Sequence, residues 1–166
     1  MHSGSRSTMF REVARKKQVL SRLECVDVLK SAPRGVLSVI GDDGYPYGTP
    51  INHYYCEEDG KLYFHGGKKG HKIDAMQACD KASFVCTDGG KKADDGWWLR
   101  FRSVVVFGRI EFVENPAVVD RVVRRITKKF IEDEEYFRQE LLEAGDRTLV
   151  FALVPEHMTG KTVNER

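Results

Sequence analysis

The sequence predicts a mainly β protein of the α+β class, a six-stranded antiparallel barrel with helices at its periphery. Six strand-like segments follow one another along the chain, and Asp42-Asp43-Gly44 and Glu58-Asp59-Gly60 between them are typical hairpin turn sequences. The chain does not begin with alternating strands and helices, and it has no GxGxxG motif. Both observations argue against a parallel dinucleotide-binding sheet.

Short runs of apolar and β-branched residues bounded by turn residues mark the strands. The longest run, 99–113, places Val104, Val106, Ile110 and Phe112 on one face at a period of two. The glycine-rich, charged stretch 88–95 before it predicts an exposed loop. The six predicted strands cover residues 35–40, 47–56, 61–65, 81–87, 99–113 and 148–154.

Helical spacing and end signals predict four helices, over 21–31, over 71–79, after Asn115-Pro116 and over about 134–143. Ser21 and Glu24 fit a capping box, and Pro116 suits a first helical turn. The third helix should bury a stripe made of Val119, Val122, Val123, Ile126 and Phe130.

Composition limits the classes of protein to which the chain can belong. Its 166 residues fit one domain, for which we expect 9–166, with residues 1–8 as a tag or flexible tail. The 27 Lys and Arg against 25 Asp and Glu leave a net charge of +2, too balanced for a protein that grips duplex DNA. The longest apolar run is too short to cross a bilayer, and no apolar leader is evident.

Four cysteines lie at 25, 56, 79 and 86, without CxxC or zinc-finger spacing. We expect free buried thiols and hence a cytoplasmic location. The five histidines show no HxH or HExxH spacing, so no metal site is predicted.

The segment FHGGKKGHKIDAM, residues 64–76, joins a strand to a helix through glycines and lysines. Gly66 and Gly70 allow a close backbone approach, the start of the helix carries partial positive charge, and lysines suit phosphate. An anion site and a solvated loop both remain open interpretations. Because this segment lacks GK[ST], it is not a Walker A sequence, and nucleotide triphosphate hydrolysis has little support.

Two other stretches could face a ligand. Pro50 in a strand marks an edge or a bulge, with Asn52 on the same face; the alternative is an ordinary edge strand. The mixture of aromatic residues and arginines in 97–103 could stack on a planar ring, bind single-stranded nucleic acid, or form an interface or a core corner. The five basic residues between 121 and 129 are more typical of a solvated helix face than of nucleic-acid binding.

Three ordered segments, GVLSVIGDDGYPYGTPINHYY, KLYFHGGKKGHKIDAM and RSVVVFGRIEFVEN, resemble the pyridoxamine 5′-phosphate oxidase-like, FMN-binding split-barrel family, in particular its nitroimidazole-resistance-like branch. The resemblance covers about 21–154. It implies a six-stranded split barrel and a homodimer with FMN at the subunit interface. The tail 155–166 departs from true pyridoxamine phosphate oxidases, so vitamin B6 oxidation is not expected.

The resemblance also implies which residues hold FMN. The lysines, His71 and the helix start would bind its phosphate, and the strand at Pro50 would line its ring. The stretch at Arg102 would approach from either subunit, and Trp98 would lie beside the ring. The expected contacts are Pro50, Ile51, Asn52, Phe64, His65, Gly66, Lys69, Gly70, His71, Lys72, Trp98, Arg102, Ser103 and Val104.

The predicted function is that of an FMN-dependent oxidoreductase acting on a small oxidised organic substrate such as a nitroaromatic, with NAD(P)H as a candidate donor. Flavin chemistry resides in the cofactor, so no catalytic side chain is assigned. The alternative is a non-catalytic flavin- or haem-binding protein on the same fold. Neither nucleic acid nor a membrane is an expected partner.

Overall fold

The computed structural model describes residues 10–92, 94, 96–131, 135 and 148–164. These residues form three α-helices and an antiparallel sheet of eight strands. The helices are α1 (Arg22–Ser31), α2 (His71–Ala78) and α3 (Pro116–Thr127), and the strands are β1 (Arg34–Ile40), β2 (Pro46–Asn52), β3 (Tyr54–Tyr55), β4 (Leu62–Gly67), β5 (Lys81–Thr87), β6 (Lys91–Lys92), β7 (Leu99–Val113) and β8 (Thr148–Asn164).

The sheet is rolled into a split barrel by the order of its strands. That order is β2-β1-β5-β7-β8-β4-β3, with β6 attached to β7. The strands at its two ends, β2 and β3, are separated in the chain only by His53, so the two ends of the sheet must meet. Cα atoms of β2 and β4 come within 8 Å of each other, yet the strand path does not pair them. The predicted split-barrel class is thus confirmed.

The structure has eight strands where six were predicted. The predicted strand 47–56 breaks at His53, whose backbone carbonyl accepts a hydrogen bond from Lys129 Nζ at 2.9 Å. The second addition is β6, which lies inside the predicted loop 88–95 and pairs with β7. Both new strands have two residues, too few for sequence periodicity to reveal.

The last strand, β8, is far longer than the predicted 148–154. It passes through Pro155 because the register shifts there: Phe107 pairs with His157 and Gly108 pairs with Pro155, which leaves Glu156 as an extra residue. Such a bulge tolerates a proline, which has no N–H for the ladder. Gly108 makes the close approach possible, since a Cβ at this position would lie 2.1 Å from the Val154 carbonyl oxygen.

Local end signals predicted the bounds of α1 and α2 and the start of α3 to within one residue. Ser21 and Glu24 form the expected capping box, with the Ser21 N–H donating to the Glu24 carboxylate at 2.7 Å. Asn115 caps α3 by accepting from the Ala117 N–H. In the predicted stripe of α3, Val122 and Ile126 are buried, and Val119 and Val123 pack beside them. Phe130 remains 42% exposed. The predicted helix over about 134–143 lies outside the described residues except for residue 135.

Two apolar clusters stabilise the barrel. The larger fills its interior and includes Leu37, Phe64, Phe84, Val104 and Phe151, all fully buried. The smaller lies between the sheet and α3 and comprises Cys56, Tyr63, Val122, Ile126, Val150 and Ala152. All four cysteines are free; Cys25, Cys56 and Cys86 are buried, as expected, whereas Cys79 is only partly buried. No helix in the described ranges is long and apolar enough to cross a membrane.

A buried histidine occupies the break between β2 and β3. His53 Nε2 donates to the Leu29 carbonyl of α1 at 2.7 Å, and its ring lies 4.7 Å from that of Phe84. His53 Nδ1 has no partner among the described residues. Burial, helped by the positive charge of Lys129, lowers the pKa of His53 to about 4. The ring is therefore neutral at physiological pH, and it fixes α1 to the point where the barrel closes.

Replacing Gly108 with alanine should destabilise the protein, because the new Cβ would collide with backbone rather than with a flexible side chain. We expect a loss of about 1–3 kcal/mol in the free energy of unfolding, measured by urea denaturation. Gly89→Ala is the matched control, since nothing lies within 4 Å of its Cβ position. Equal stability of the two variants would show that the bulge does not need a glycine.

Stability should also fall as the pH drops below 6.5, the ordinary pKa of histidine. The folded pKa of His53 is the lower one, so the unfolded chain binds the extra proton between pH 6.5 and about 4. This proton should cost about 2 kcal/mol at pH 5 relative to pH 7. His53→Gln keeps a donor for the Leu29 carbonyl and should remove that part of the slope. An unchanged pH dependence in urea denaturation would contradict the assignment.

Candidate functional site

The segment between β4 and α2 forms an uncapped helix start. Gly70 precedes the helix with φ of 122°, a conformation that favours glycine, and no side chain caps α2. The first helical hydrogen bonds run from the N–H groups of Ile73 and Asp74 to the Gly70 carbonyl. The N–H groups of His71 and Lys72 precede these bonds, so the positive end of the helix is open to an anion.

Lys72 places a half-buried positive charge beside this helix start. Its Nζ lies 5.8 Å from the centre of the Phe151 ring, and 3.6 Å from the point where a Cβ on Gly66 would lie. Burial lowers the pKa of Lys72, and no carboxylate among the described residues lies within ion-pair distance of it. The pKa of the nearby His65 is lowered first by burial and then by the charge of Lys72. The site is thus a cation without a counter-charge.

His71 has local partners of its own. Its ring stacks on that of Tyr47, with centroids 4.1 Å apart, and its Nε2 lies 3.6 Å from Asp42 Oδ2. These contacts tie the start of α2 to the β1–β2 hairpin. Sequence reasoning missed Tyr47, although alternation along β2 places it on the inner face with Thr49 and Ile51. The predicted Lys69 is exposed on the connecting segment.

The free edge of β2 lies beside this group. Pro50 and Asn52 point away from the barrel interior, whereas Ile51 is buried in the core. The register of β2 with β1 is regular from Pro46 to Asn52, so Pro50 marks an edge and not a bulge. The buried hydroxyl of Thr49 lacks a hydrogen-bond partner among the described residues. The β2 edge, the end of β4 and the start of α2 therefore converge on one region.

The remaining predicted contacts do not join this group within one chain. Phe64 and Val104 are fully buried core residues. Arg102 pairs with Asp27 and Asp88, at 2.8 Å in each case, and so fastens β7 to α1 and to the loop after β5. Trp98 lies near Arg100, whose guanidinium is 6.0 Å from the indole centre.

Ser103 lies on the outer face of β7, and its partner on β8 is near the opposite end of that strand from the partner of Gly66. It pairs with Lys161 of β8, whereas Gly66 pairs with Leu149, so 161 − 149 = 12 residues of β8 separate the two positions. That is about 40 Å of strand path at 3.3 Å per residue. Across the sheet, β1 and β5 lie between β2, which carries Asn52, and β7, which carries Ser103. The three strand spacings place β2 and β7 about 14 Å apart.

The outer face carries a row of mostly apolar residues across five strands. In order of strand pairing these are Pro50, Val36, Val85, Val105 and Thr159. Directly paired residues of an antiparallel sheet share a face, so the row is continuous. Val85 is 37% exposed, and Phe107 on the next row is 39% exposed.

The chain's own N-terminal segment covers the β7–β8 end of this face. Leu20 N–H donates to the Gly160 carbonyl at 2.9 Å, and the Phe10 ring stacks on Phe107 and His157, with centroids 5.5 and 5.0 Å apart. A hollow of about 260 Å³ remains beneath the segment, and Ser103 lines it. Within the described residues, this face remains exposed at Val85 on β5.

Comparisons with known proteins agree with this architecture. The profile of the family described as pyridoxamine 5′-phosphate oxidase matches residues 21–162. No curated protein sequence matches the chain. Three similar solved structures illustrate the fold.

The first is a candidate 5-nitroimidazole antibiotic resistance protein from Bacteroides thetaiotaomicron, with a TM-score of 0.71 and 21% identity over 88% of this chain and 87% of that one. The second is a FAD-binding protein from Mesorhizobium loti, with a TM-score of 0.66 and 26% identity over 88% and 97%. The third is a FAD and heme binding protein from Mycobacterium smegmatis, with a TM-score of 0.63 and 21% identity over 90% and 74%.

The family profile covers most of the chain, and the strands enclose a split barrel in which β2 and β4 are adjacent but not paired. The chain therefore belongs to the pyridoxamine 5′-phosphate oxidase family.

Proposed function

We propose that the protein binds a flavin, FMN in particular, and uses it to reduce a small oxidised organic molecule. The observation that carries the proposal is the half-buried Lys72, which has no carboxylate partner among the described residues and lies beside the open start of α2. A flavin phosphate supplies the missing negative charge there. The names of similar proteins, two of them FAD-binding, support a flavin.

The residues of this chain fit the phosphate end of a flavin. The N–H groups at the start of α2 would donate to phosphate oxygens, and Lys72 would add a charge-assisted hydrogen bond. Gly66, next to Lys72, keeps side-chain atoms out of the space in front of Nζ. His71, held by Tyr47, would orient the helix start and not carry the main charge. We favour FMN over FAD because Lys72 and the start of α2 offer partners for a single phosphate group.

The chemistry would come from the cofactor. When bound, a flavin would supply electron transfer from a donor, for which NAD(P)H is the candidate, to an acceptor. The contribution of the protein is to bind, orient and shield the ring, for which the β2 edge at Pro50 and Asn52 is the proposed support. A nitroaromatic acceptor is consistent with the name of the Bacteroides protein. We also propose that the protein is cytoplasmic.

A homodimer completes the proposed site. Within one chain, three strand spacings, about 14 Å, separate Ser103 on β7 from Asn52 on β2, so a Ser103 contact with the same ring would come from a second chain. The apolar row across β1 and β5 offers that chain a surface. Exposed apolar surface on a sheet of this kind is typical of an interface.

Lys72→Met should weaken FMN binding at least about tenfold, because a charge-assisted phosphate contact contributes about 1.5–3 kcal/mol. Methionine keeps the apolar stem beside Phe151 and removes only the charge. Riboflavin, which lacks the phosphate, should bind the variant and the wild type equally. Lys68→Met, at an exposed position two residues before Gly70, is the control. Fluorescence titration measures all of these affinities. If Lys72→Met weakened riboflavin as much as FMN, the phosphate would not be at Lys72.

Val85→Arg should shift the protein from dimer to monomer at low micromolar concentration and lower its flavin content. An arginine in the middle of the apolar row would place a charge in the proposed interface. Leu23→Arg is the matched control, since Leu23 is 81% exposed on α1 and away from this face. Sedimentation velocity of both variants with and without FMN gives the answer. A wild-type monomer that retains tightly bound FMN would refute the shared site.

Absorbance of the purified protein after incubation with FMN, FAD or hemin separates flavin binding from haem binding. Stopped-flow reduction by NADH or NADPH, followed by addition of a nitroaromatic, then tests the reaction. The proposal predicts flavin spectra, donor-dependent bleaching and reoxidation by the nitroaromatic. A Soret band without flavin uptake, or a bound flavin that no donor reduces, would favour the non-catalytic alternative.

A further inference from the structure

A second cavity lies outside the flavin region. It occupies about 500 Å³ between the end of α1, strand β3 with the turn after it, and the end of α3. That volume is in the range of small-molecule sites. Lys72 and the start of α2 do not line it. Arg125 of α3 lines it, as do Lys128 and Lys129 just after that helix, and the flavin proposal has no role for these basic residues.

The positive charges of this cleft exceed its negative charges. Lys30 is matched by Glu57, with Nζ and Oε2 2.7 Å apart. Glu58 pairs with Arg121, with Oε2 and Nη1 3.9 Å apart, and Arg121 does not line the cleft. Arg125 and Lys129 have no carboxylate within ion-pair distance in the part of the chain that the structure describes.

Lys129 is half-buried at the base of the cleft and only partly satisfied. Its Nζ donates to the Ala32 carbonyl at 3.1 Å and to the His53 carbonyl at 2.9 Å. A lysine ammonium has three donors, so one remains. Burial lowers the pKa of Lys129, which is the expected effect when a charge is removed from water without a counter-charge.

Tyr54 supplies an apolar wall of the cleft. Its half-buried ring stacks on that of Tyr63, with centroids 6.5 Å apart, whereas the adjacent Tyr55 is buried in the barrel interior. Arg125 lines the same cleft as Tyr54, so a guanidinium and an aromatic wall face one cavity. A planar guanidinium beside an aromatic wall suits a ligand that is itself planar and negatively charged.

We propose that this cleft binds a small aryl anion, a ring that bears a carboxylate or a phosphate group. Arg125 and the remaining donor of Lys129 bind the anionic group, and Tyr54 packs against the ring. The inference does not depend on flavin binding, because no residue of the cleft belongs to the proposed flavin site.

Isothermal titration calorimetry of the full chain with phenyl phosphate and benzoate tests the proposal. Saturating FMN is present in one series and absent in a parallel one, so that a ligand entering the flavin site is recognised. We expect saturable binding in both series. Arg125→Gln should weaken it at least about tenfold, as for the loss of one charge-assisted contact. Arg124→Gln removes the same charge from the next position of α3, where the arginine pairs with Asp120, and should have little effect.

A second pair of measurements examines the aromatic wall. Tyr54→Leu should weaken phenyl phosphate more than inorganic phosphate, because only the former has a ring to pack. Benzyl alcohol, the neutral analogue, should bind far more weakly than either aryl anion. The proposal would be overturned by no saturation below about 10 mM, by equal effects of Arg124→Gln and Arg125→Gln, or by equal binding of benzyl alcohol.

Discussion

Closure of the barrel depends on a single chain segment that serves both ends of the sheet. Residues 46–55 form β2 at one end and β3 at the other, with His53 between them. Extended pairing cannot continue through that residue, so its backbone carbonyl bonds to Lys129 and its ring donates to α1. One buried, neutral histidine and one half-buried lysine thereby join α1, the sheet and the end of α3. The packing of Phe84 and Phe64 inside the barrel follows from this closure.

The unpaired seam between β2 and β4 also determines which groups meet at the candidate site. Because β2 ends at the break, its free edge lies beside β4, and the chain leaving β4 enters α2 at the mouth of the barrel. This arrangement brings a helix start, a glycine and a half-buried lysine together without an acidic partner in the described part of the chain. Folding places Lys72 there at the expense of its hydration. A bound phosphate would recover that loss, which explains how the fold favours a phosphorylated ligand.

Sequence reasoning succeeded where the signal was local. The capping box at Ser21 and the bounds of β5 and β7 needed only short-range patterns. It failed where a long-range contact decides the structure. The break at His53 depends on Lys129, 76 residues away, and the length of β8 depends on the room that Gly108 leaves at the bulge. No pattern within either strand carries that information.

The same distinction holds for the site. Glycines and lysines before a helix indicated an anion site, and the structure places Lys72 and the helix start together. The pairing of Arg102 with Asp27 and Asp88 was not predictable, because those carboxylates lie on α1 and in a separate loop. The position of Ser103 at the opposite end of β8 from Gly66 likewise required the strand register.

We propose that Lys72 is a half-buried cation whose counter-charge is the phosphate of a bound flavin. The most direct test is an NMR titration of the lysine Nζ groups in the free protein and in the FMN complex. We predict that the lowered pKa of Lys72 rises when FMN binds, since a nearby anion favours the charged form. The pKa of Lys129, also lowered by burial, should not change. An unchanged pKa of Lys72 in a protein saturated with FMN would contradict the account.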